Sequence, residues 1–218
     1  MRDSILDPEE NLRFNKDRWG NNETWTETDK FGYQWGGGYS QKLYQIARFS
    51  DMFLKPYTNN RYDLKILELS PGAGRFTAEL IRYAESLDLL DMNEACLDIC
   101  RDRFKFVPTP IRYYHNDGQS CDMIEDQDYD LIASFDSMVH VHPDIVRGYV
   151  LQLATKLKPG GLIWMDHSGK GASDSGHRTD MTMERMTQFA AEANLSVAAQ
   201  TLRNERDCIS VLKRSSDL

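Results

Sequence analysis

Several groups of residues have the types and spacing that chemistry needs. Asp136 and His140 stand four apart, Asp166 and His167 are adjacent, His177 and Arg178 share a polar loop, and Ser70-Pro71-Gly72-Ala73-Gly74 breaks an apolar run. An imidazole can take a proton from a hydroxyl near neutrality. Asp136 and Asp166 carry hard oxygens suited to a divalent cation. A glycine turn lets a ligand come close to backbone amides, which favour electron-rich groups. Each group also has a plainer role open to it: Asp166 can bond loop amides, His167 can line a pocket, and His142, before Pro143, can cap a helix. Cys96, Cys100, Cys121 and Cys208 lack paired C-x-x-C spacing, so packed, reduced thiols are expected rather than a zinc or redox pair.

The elements that position these residues begin with Lys65-Ile66-Leu67-Glu68-Leu69, short, apolar and β-favouring, hence a buried strand. The glycine turn follows, and Leu80, Ile81 and Ala84 at helical spacing predict a helix over 75–86. A dinucleotide fingerprint starting at Gly72 and Gly74 would need its third glycine at Thr77, so that loop fits NAD poorly.

Glu68-Leu69-Ser70-Pro71-Gly72-Ala73-Gly74 instead resembles motif I of the class I methyltransferases that use S-adenosylmethionine, with Ser70 where that family usually has its first glycine. The resemblance continues through Asp91-Met92 after the strand Ser86–Asp91, Asn116-Asp117-Gly118 after the strand at 111–115, Phe135-Asp136-Ser137 ending the strand at 129–135, and Leu157-Lys158-Pro159-Gly160-Gly161 before the strand at 161–166. It implies a cofactor, S-adenosylmethionine, with S-adenosylhomocysteine as product. Asp91 would bind the ribose hydroxyls and the 116–118 loop would read adenine. Glu68, Ser70, Pro71, Gly72, Gly74, Met92, Phe135, Asp136, Ser137 and, from the N-terminal arm, Trp35 complete the implied cofactor site. His140 is the first candidate for catalysis, with Asp136 and His167 behind it. A divalent metal held through Asp136 and Asp166 is the alternative.

The chain has 218 residues, 40% hydrophobic and 28% charged, as in ordinary globular domains, and a formal net charge of −8 without a Lys/Arg run. That argues against an extended nucleic-acid footprint. No stretch approaches the roughly 18 apolar residues of a membrane helix, and the charged N-terminus has no apolar leader-like segment, so a cytoplasmic location is the default expectation.

Alternation of strands with helices at 93–105, 143–157 and 181–193, closed by a strand pair at 195–201 and 207–213, predicts an α/β, Rossmann-like doubly wound fold. The sheet is expected to be seven-stranded and mostly parallel, with an antiparallel last strand. Residues 1–62 are expected to form an arm and lid on the core at 63–214, with a short tail at 215–218. The arm carries Trp19, Trp25, Phe31, Tyr33 and Trp35 before Gly36-Gly37-Gly38, a plausible hinge, and Tyr39–Leu54 has helical spacing. The resulting expectation is a methyltransferase acting on oxygen of a small polar acceptor such as a sugar or secondary metabolite. N-methylation of an amine or amino-sugar and a non-catalytic cofactor-binding domain remain open.

Overall fold

A computed structural model describes residues 7–20, 25, 47, 54–125, 127–171 and 178–215. The elements are α1 (Pro8–Gly20), α2 (Lys55–Thr58), β1 (Leu64–Leu69), α3 (Thr77–Leu80), β2 (Ala84–Asp91), α4 (Glu94–Phe104), β3 (Ile111–His115), β4 (Tyr129–Met138), α5 (Pro143–Lys156), β5 (Leu157–Ser168), α6 (Met183–Glu192), β6 (Leu195–Leu202) and β7 (Asp207–Arg214). Apolar runs such as Leu64–Leu69 are buried almost continuously because both faces of the sheet are covered. One face packs Leu67, Leu90, Ile132 and Met165 against Val146, Leu153 and Phe189. The other packs Ile66, Leu89, Leu131 and Trp164 against Phe76, Leu80 and Leu97.

Seven strands run in the order β3-β2-β1-β4-β5-β7-β6. The β1–β2, β1–β4, β2–β3 and β4–β5 pairs are parallel, and β7 is antiparallel to both β5 and β6. Successive connections therefore leave β1 toward β2 on one side and return to β4 on the other. The crevice outside the carboxyl ends of β1 and β4 is the place where such sheets hold ligands. No helix among the described residues is long and apolar enough to cross a membrane.

The structure differs from the sequence reading in three places. The helix expected over 75–86 is a single turn, Thr77–Leu80. Leu80 and Tyr83 turn into the core, and Ala84 and Ser86 pair with Leu64 and Lys65, so their backbone groups join the sheet. Strands β4 and β5 run further than expected, to Met138 and from Leu157 to Ser168, across an irregularity between Ser134 and Met138. Helix α1 has no counterpart in the reading. It lacks an apolar stripe and buries two asparagines, Asn11 and Asn15, instead. Its start is nevertheless marked: Asp7 Oδ1 accepts from the amides of Glu9 at 2.8 Å and Glu10 at 3.1 Å, followed by Pro8 at the first position. Trp35, Phe31, Tyr33, the triple glycine and most of the Tyr39–Leu54 helix expectation lie outside the described residues, as does His177.

Candidate active site

The glycine turn closes the end of β1. Ser70 has φ 58°, Gly72 55° and Gly74 78°, a left-handed region where a side chain is strained. Ser70 adopts it at the position where a glycine was expected from the resemblance, and its amide donates to Leu90 O at 2.8 Å, extending the β1–β2 pairing. A Cβ on Gly74 would stand 2.6 Å from the Phe104 ring and 3.1 Å from Cys100 Sγ, so glycine is what lets α4 pack here. A Cβ on Gly72 would stand 2.9 Å from the Trp25 ring, which covers the turn. Pro71 is buried, and its carbonyl accepts from the Gly74 amide at 3.0 Å.

Glu68 lies beneath the turn rather than at its surface, buried and accepting from Thr77 Oγ1 at 2.6 Å. Burial pushes its carboxyl up to about 8, against the lowering effect of the Thr77 hydroxyl. The folded state therefore keeps a proton that the unfolded chain releases near 4.5. Stability contributed by the neutral acid is complete below that value and is lost as pH rises through about 8. Glu68→Gln, which preserves an acceptor for Thr77, should flatten this part of the decline in urea melts taken across the interval. An unchanged slope would mean Glu68 is already ionised in the fold.

At the end of β2, Asp91 is buried, with Oδ2 accepting from Gly72 N at 3.2 Å and Oδ1 from Asn93 N at 2.9 Å. Burial raises its carboxyl to about 6 in spite of these donors. Beside it, Met92 sulfur and Leu12 of α1 press on Gly118, whose φ is 90° and whose added Cβ would meet them at 2.8 and 2.5 Å. The 116–118 loop is braced from within. Asn116 donates to Ser120 O at 2.8 Å and Tyr149 Oη at 3.0 Å and accepts from the Gly118 amide at 3.2 Å. Asp117, exposed, accepts from the Gln119 and Ser120 amides at 2.9 and 2.8 Å, so its carboxylate shapes the turn.

At the end of β4, Phe135 stacks on Phe76 with ring centroids 5.1 Å apart and on Trp164 at 6.0 Å. Asp136 follows with φ 60° inside the irregular stretch of the strand. Its amide donates to Asp166 Oδ2 at 3.0 Å instead of to a strand carbonyl. Its carboxylate is held by Arg75 at 2.7 Å and Arg203 at 2.8 Å. Arg203 also reaches Asp166 at 3.2 Å and Asp207 at 2.9 Å, and Arg178 grips Asp207 at 2.8 Å through Nε. Burial works against the Asp207 charge, but Arg178, Asn204 and Arg203 outweigh it and hold the carboxyl well below its usual range. Burial, with Asp136 and Asp207 nearby, raises Asp166 against the pull of Arg203.

Three arginines thus face three aspartates. A carboxylate between two guanidiniums is a weak proton acceptor, which counts against Asp136 as a base. Arg203 supplies the positive charge shared by Asp136 and Asp166, the pair from which the metal alternative starts. Among the described residues no group of three or more His, Cys, Asp or Glu is placed to hold a metal ion.

The three histidine positions separate clearly. His167 is fully buried, with Nδ1 2.7 Å from Ser168 O and Nε2 2.7 Å from Ser210 Oγ, and burial lowers it to about 4. It stays neutral and ties β5 to β7, so the catalytic role considered for it does not fit its place. His142 accepts from the Asp144 amide at 3.2 Å and caps α5. His140 lies in the turn after β4, its ring 5.2 Å from that of Trp19. Its carbonyl accepts from Asn11 at 2.9 Å and Asn15 at 3.0 Å, while Asn11 Oδ1 accepts from the His142 amide at 2.8 Å. Trp19 Nε1 donates to Asn15 at 3.2 Å and Trp25 Nε1 to Trp19 O at 2.7 Å. Ser137 Oγ donates to Ser70 O at 3.0 Å, joining the turn after β4 to the glycine turn. Helix α1 therefore spans from the 116–118 loop to His140. Asn11, Asn15, Arg75 and Arg203 are the site residues that the sequence reading missed; only the helix-start signal at Asp7-Pro8 pointed toward the first two.

Residues 66–161 match the family model described as a methyltransferase domain. The fold is similar to a S-adenosylmethionine-dependent methyltransferase of Leishmania major, with 14% identity, 96% of this chain and 86% of that chain covered, and a TM-score of 0.72. It is also similar to the magnesium protoporphyrin IX methyltransferase of Synechocystis PCC 6803 with bound S-adenosylhomocysteine (12% identity, 96% and 100% covered, TM-score 0.68). A third is the N-methyltransferase NodS of Bradyrhizobium japonicum WM9, likewise with S-adenosylhomocysteine (16% identity, 95% and 99% covered, TM-score 0.64). At these identities the similarity is one of fold. No curated protein sequence matches the chain.

Proposed function

We propose that the chain is a class I S-adenosylmethionine-dependent methyltransferase and that its acceptor is a hydroxyl of a small, neutral, polar molecule such as a sugar. The observation carrying this reading is the charge balance outside β4, β5 and β7: Arg75, Arg178 and Arg203 are matched by Asp136, Asp166 and Asp207. Among the described residues there, each of these guanidiniums is paired with a carboxylate, which disfavours a carboxylate or phosphate acceptor.

The donor set of the crevice fits the cofactor. Asp91 is a buried carboxylate that gains from two hydroxyl donors, and Leu12 and Met92, packed on Gly118, give the 116–118 loop an apolar wall suited to a flat base. Bound there, S-adenosylmethionine supplies a methyl group on a sulfonium for in-line displacement. The chain's part is to bind, align and exclude water. Ser137 fastens the turn after β4 to the glycine turn, Asn11 and Asn15 hold the backbone of His140, and α1 covers the crevice. His140 then takes the acceptor's hydroxyl proton.

Methyl transfer from labelled S-adenosylmethionine to neutral sugars, amino-sugars and sugar acids tests the reading. Label is expected on oxygen of neutral acceptors. Transfer confined to amines, or to carboxylated acceptors, would overturn it.

A further inference from the structure

A chain can bring a distant residue to its reacting end only by topology, and Arg203 arrives that way. It follows β6, where the hairpin turns toward β7, and its amide donates to Asp207 O at 2.8 Å. From there the side chain, only 6% exposed, crosses the end of β5 to reach β4. One guanidinium contacts Asp136 at 2.8 Å, Asp207 at 2.9 Å and Asp166 at 3.2 Å and lies 5.0 Å from the Phe135 ring centroid. Burial disfavours its charge, but the three carboxylates hold it protonated.

What it grips is the conformationally costly point of the site. Asp136 has φ 60°, in the left-handed region that residues other than glycine seldom enter, aspartate and asparagine more readily than the rest. The β4–β5 pairing jumps from Ser134↔Met165 to Met138↔His167 across it. Sheet pairing does not hold the backbone there. Among the described residues, its restraints include Asp166 on the Asp136 amide and Arg75 and Arg203 on the carboxylate. The next residues carry the functional groups: Ser137 bonds the glycine turn, and the His140 amide donates to Ser137 O at 3.1 Å.

We infer that Arg203 is a positioning residue: through Asp136 it fixes the turn Ser137–His140 and so sets the alignment of acceptor and methyl donor. It touches neither of them. This rests on the reading of His140 as an acceptor-side group, but not on which acceptor is methylated. Arginine suits the role because its planar fork bonds several carboxylates at once, whereas one ammonium is a compact point charge.

The test uses the full chain carrying Arg203→Ala or Arg203→Lys. The measurements are S-adenosylhomocysteine affinity, amide exchange at His140 and Val141, and steady-state methyl transfer. The expected result is unchanged cofactor affinity, faster exchange at those amides, and kcat lower by about 10²-fold at nearly unchanged acceptor KM, since misplacement on the order of 1 Å costs about that factor. Millimolar methylguanidinium should restore part of the rate to Arg203→Ala. If the alanine variant does not fold, Arg203→Lys, which keeps a charge but cannot span three carboxylates, carries the same readouts. Unchanged kcat and exchange in either folded variant would overturn the inference, as would cofactor affinity and kcat falling together with no rescue. If the wild type methylates only amines, the acceptor reading fails while exchange, affinity and rate on those amines still decide the role of Arg203.

Discussion

His140→Ala is expected to lower kcat by roughly 10²–10⁴-fold while S-adenosylhomocysteine binds as it does to the wild type. A sugar hydroxyl is a poor nucleophile until its proton has somewhere to go. Of the groups near the carboxyl end of β4, Asp136 is held between Arg75 and Arg203 and His167 is locked between Ser168 and Ser210. His140 stands on the Trp19 ring with its backbone clamped by Asn11 and Asn15. Because a base must be unprotonated to act, wild-type kcat should rise with pH as the imidazole loses its proton, and the alanine variant should lose that limb of the profile. The same clamp gives a control. Asn11→Ala leaves the imidazole in place but removes one of the two asparagine donors to its carbonyl, so it should slow turnover less than His140→Ala. Near-normal turnover in a folded His140→Ala enzyme would mean that the acceptor needs no base.

How far the molecule can be read from its sequence depends on the range of the interactions that shape each part. β1 and the glycine turn are local: an apolar run, then residues able to take positive φ, and the structure has both where expected. The parallel sheet with its antiparallel β7 follows from the alternation of such segments. The helix expected after the glycine turn fails because Leu80, Ile81 and Ala84 have helical spacing, yet Ala84 is claimed by pairing with Leu64 across the sheet. α1 is hidden for a different reason. Beside Leu12, which packs against the core, its buried residues are two asparagines bonded to the His140 carbonyl, a pattern with no apolar period. Glu68 looks like a ligand by its place in the motif, but its side chain points under the turn toward Thr77. Arg203 is the extreme case, lying 67 positions from the aspartate it holds, in a hairpin whose register nothing local specifies.

Asp91→Ala should weaken S-adenosylhomocysteine binding by about 1.5–3 kcal/mol, the range for hydrogen bonds to a charged group, or roughly 10- to 150-fold in Kd. Burial raises this carboxyl to about 6, from an ordinary 3.8, in spite of the Asn93 and Gly72 amides that donate to it. Two ribose hydroxyls would donate to the ionised form and favour it over the neutral acid. Binding therefore releases a proton from the fraction of molecules in which Asp91 is protonated, so affinity should increase as pH rises through about 6 and level off above it. Without ligand the sign is the reverse for stability: a raised carboxyl stabilises the fold most below 3.8, and that contribution disappears as pH climbs past about 6. Calorimetry in two buffers of different ionisation enthalpy reads the released proton directly. In Asp91→Asn, which keeps the shape and loses the charge, both the proton release and the pH dependence of Kd should vanish. Persistence of both in that variant would assign the linkage to another group, with Asp91 acting only as a brace between the glycine turn and α4.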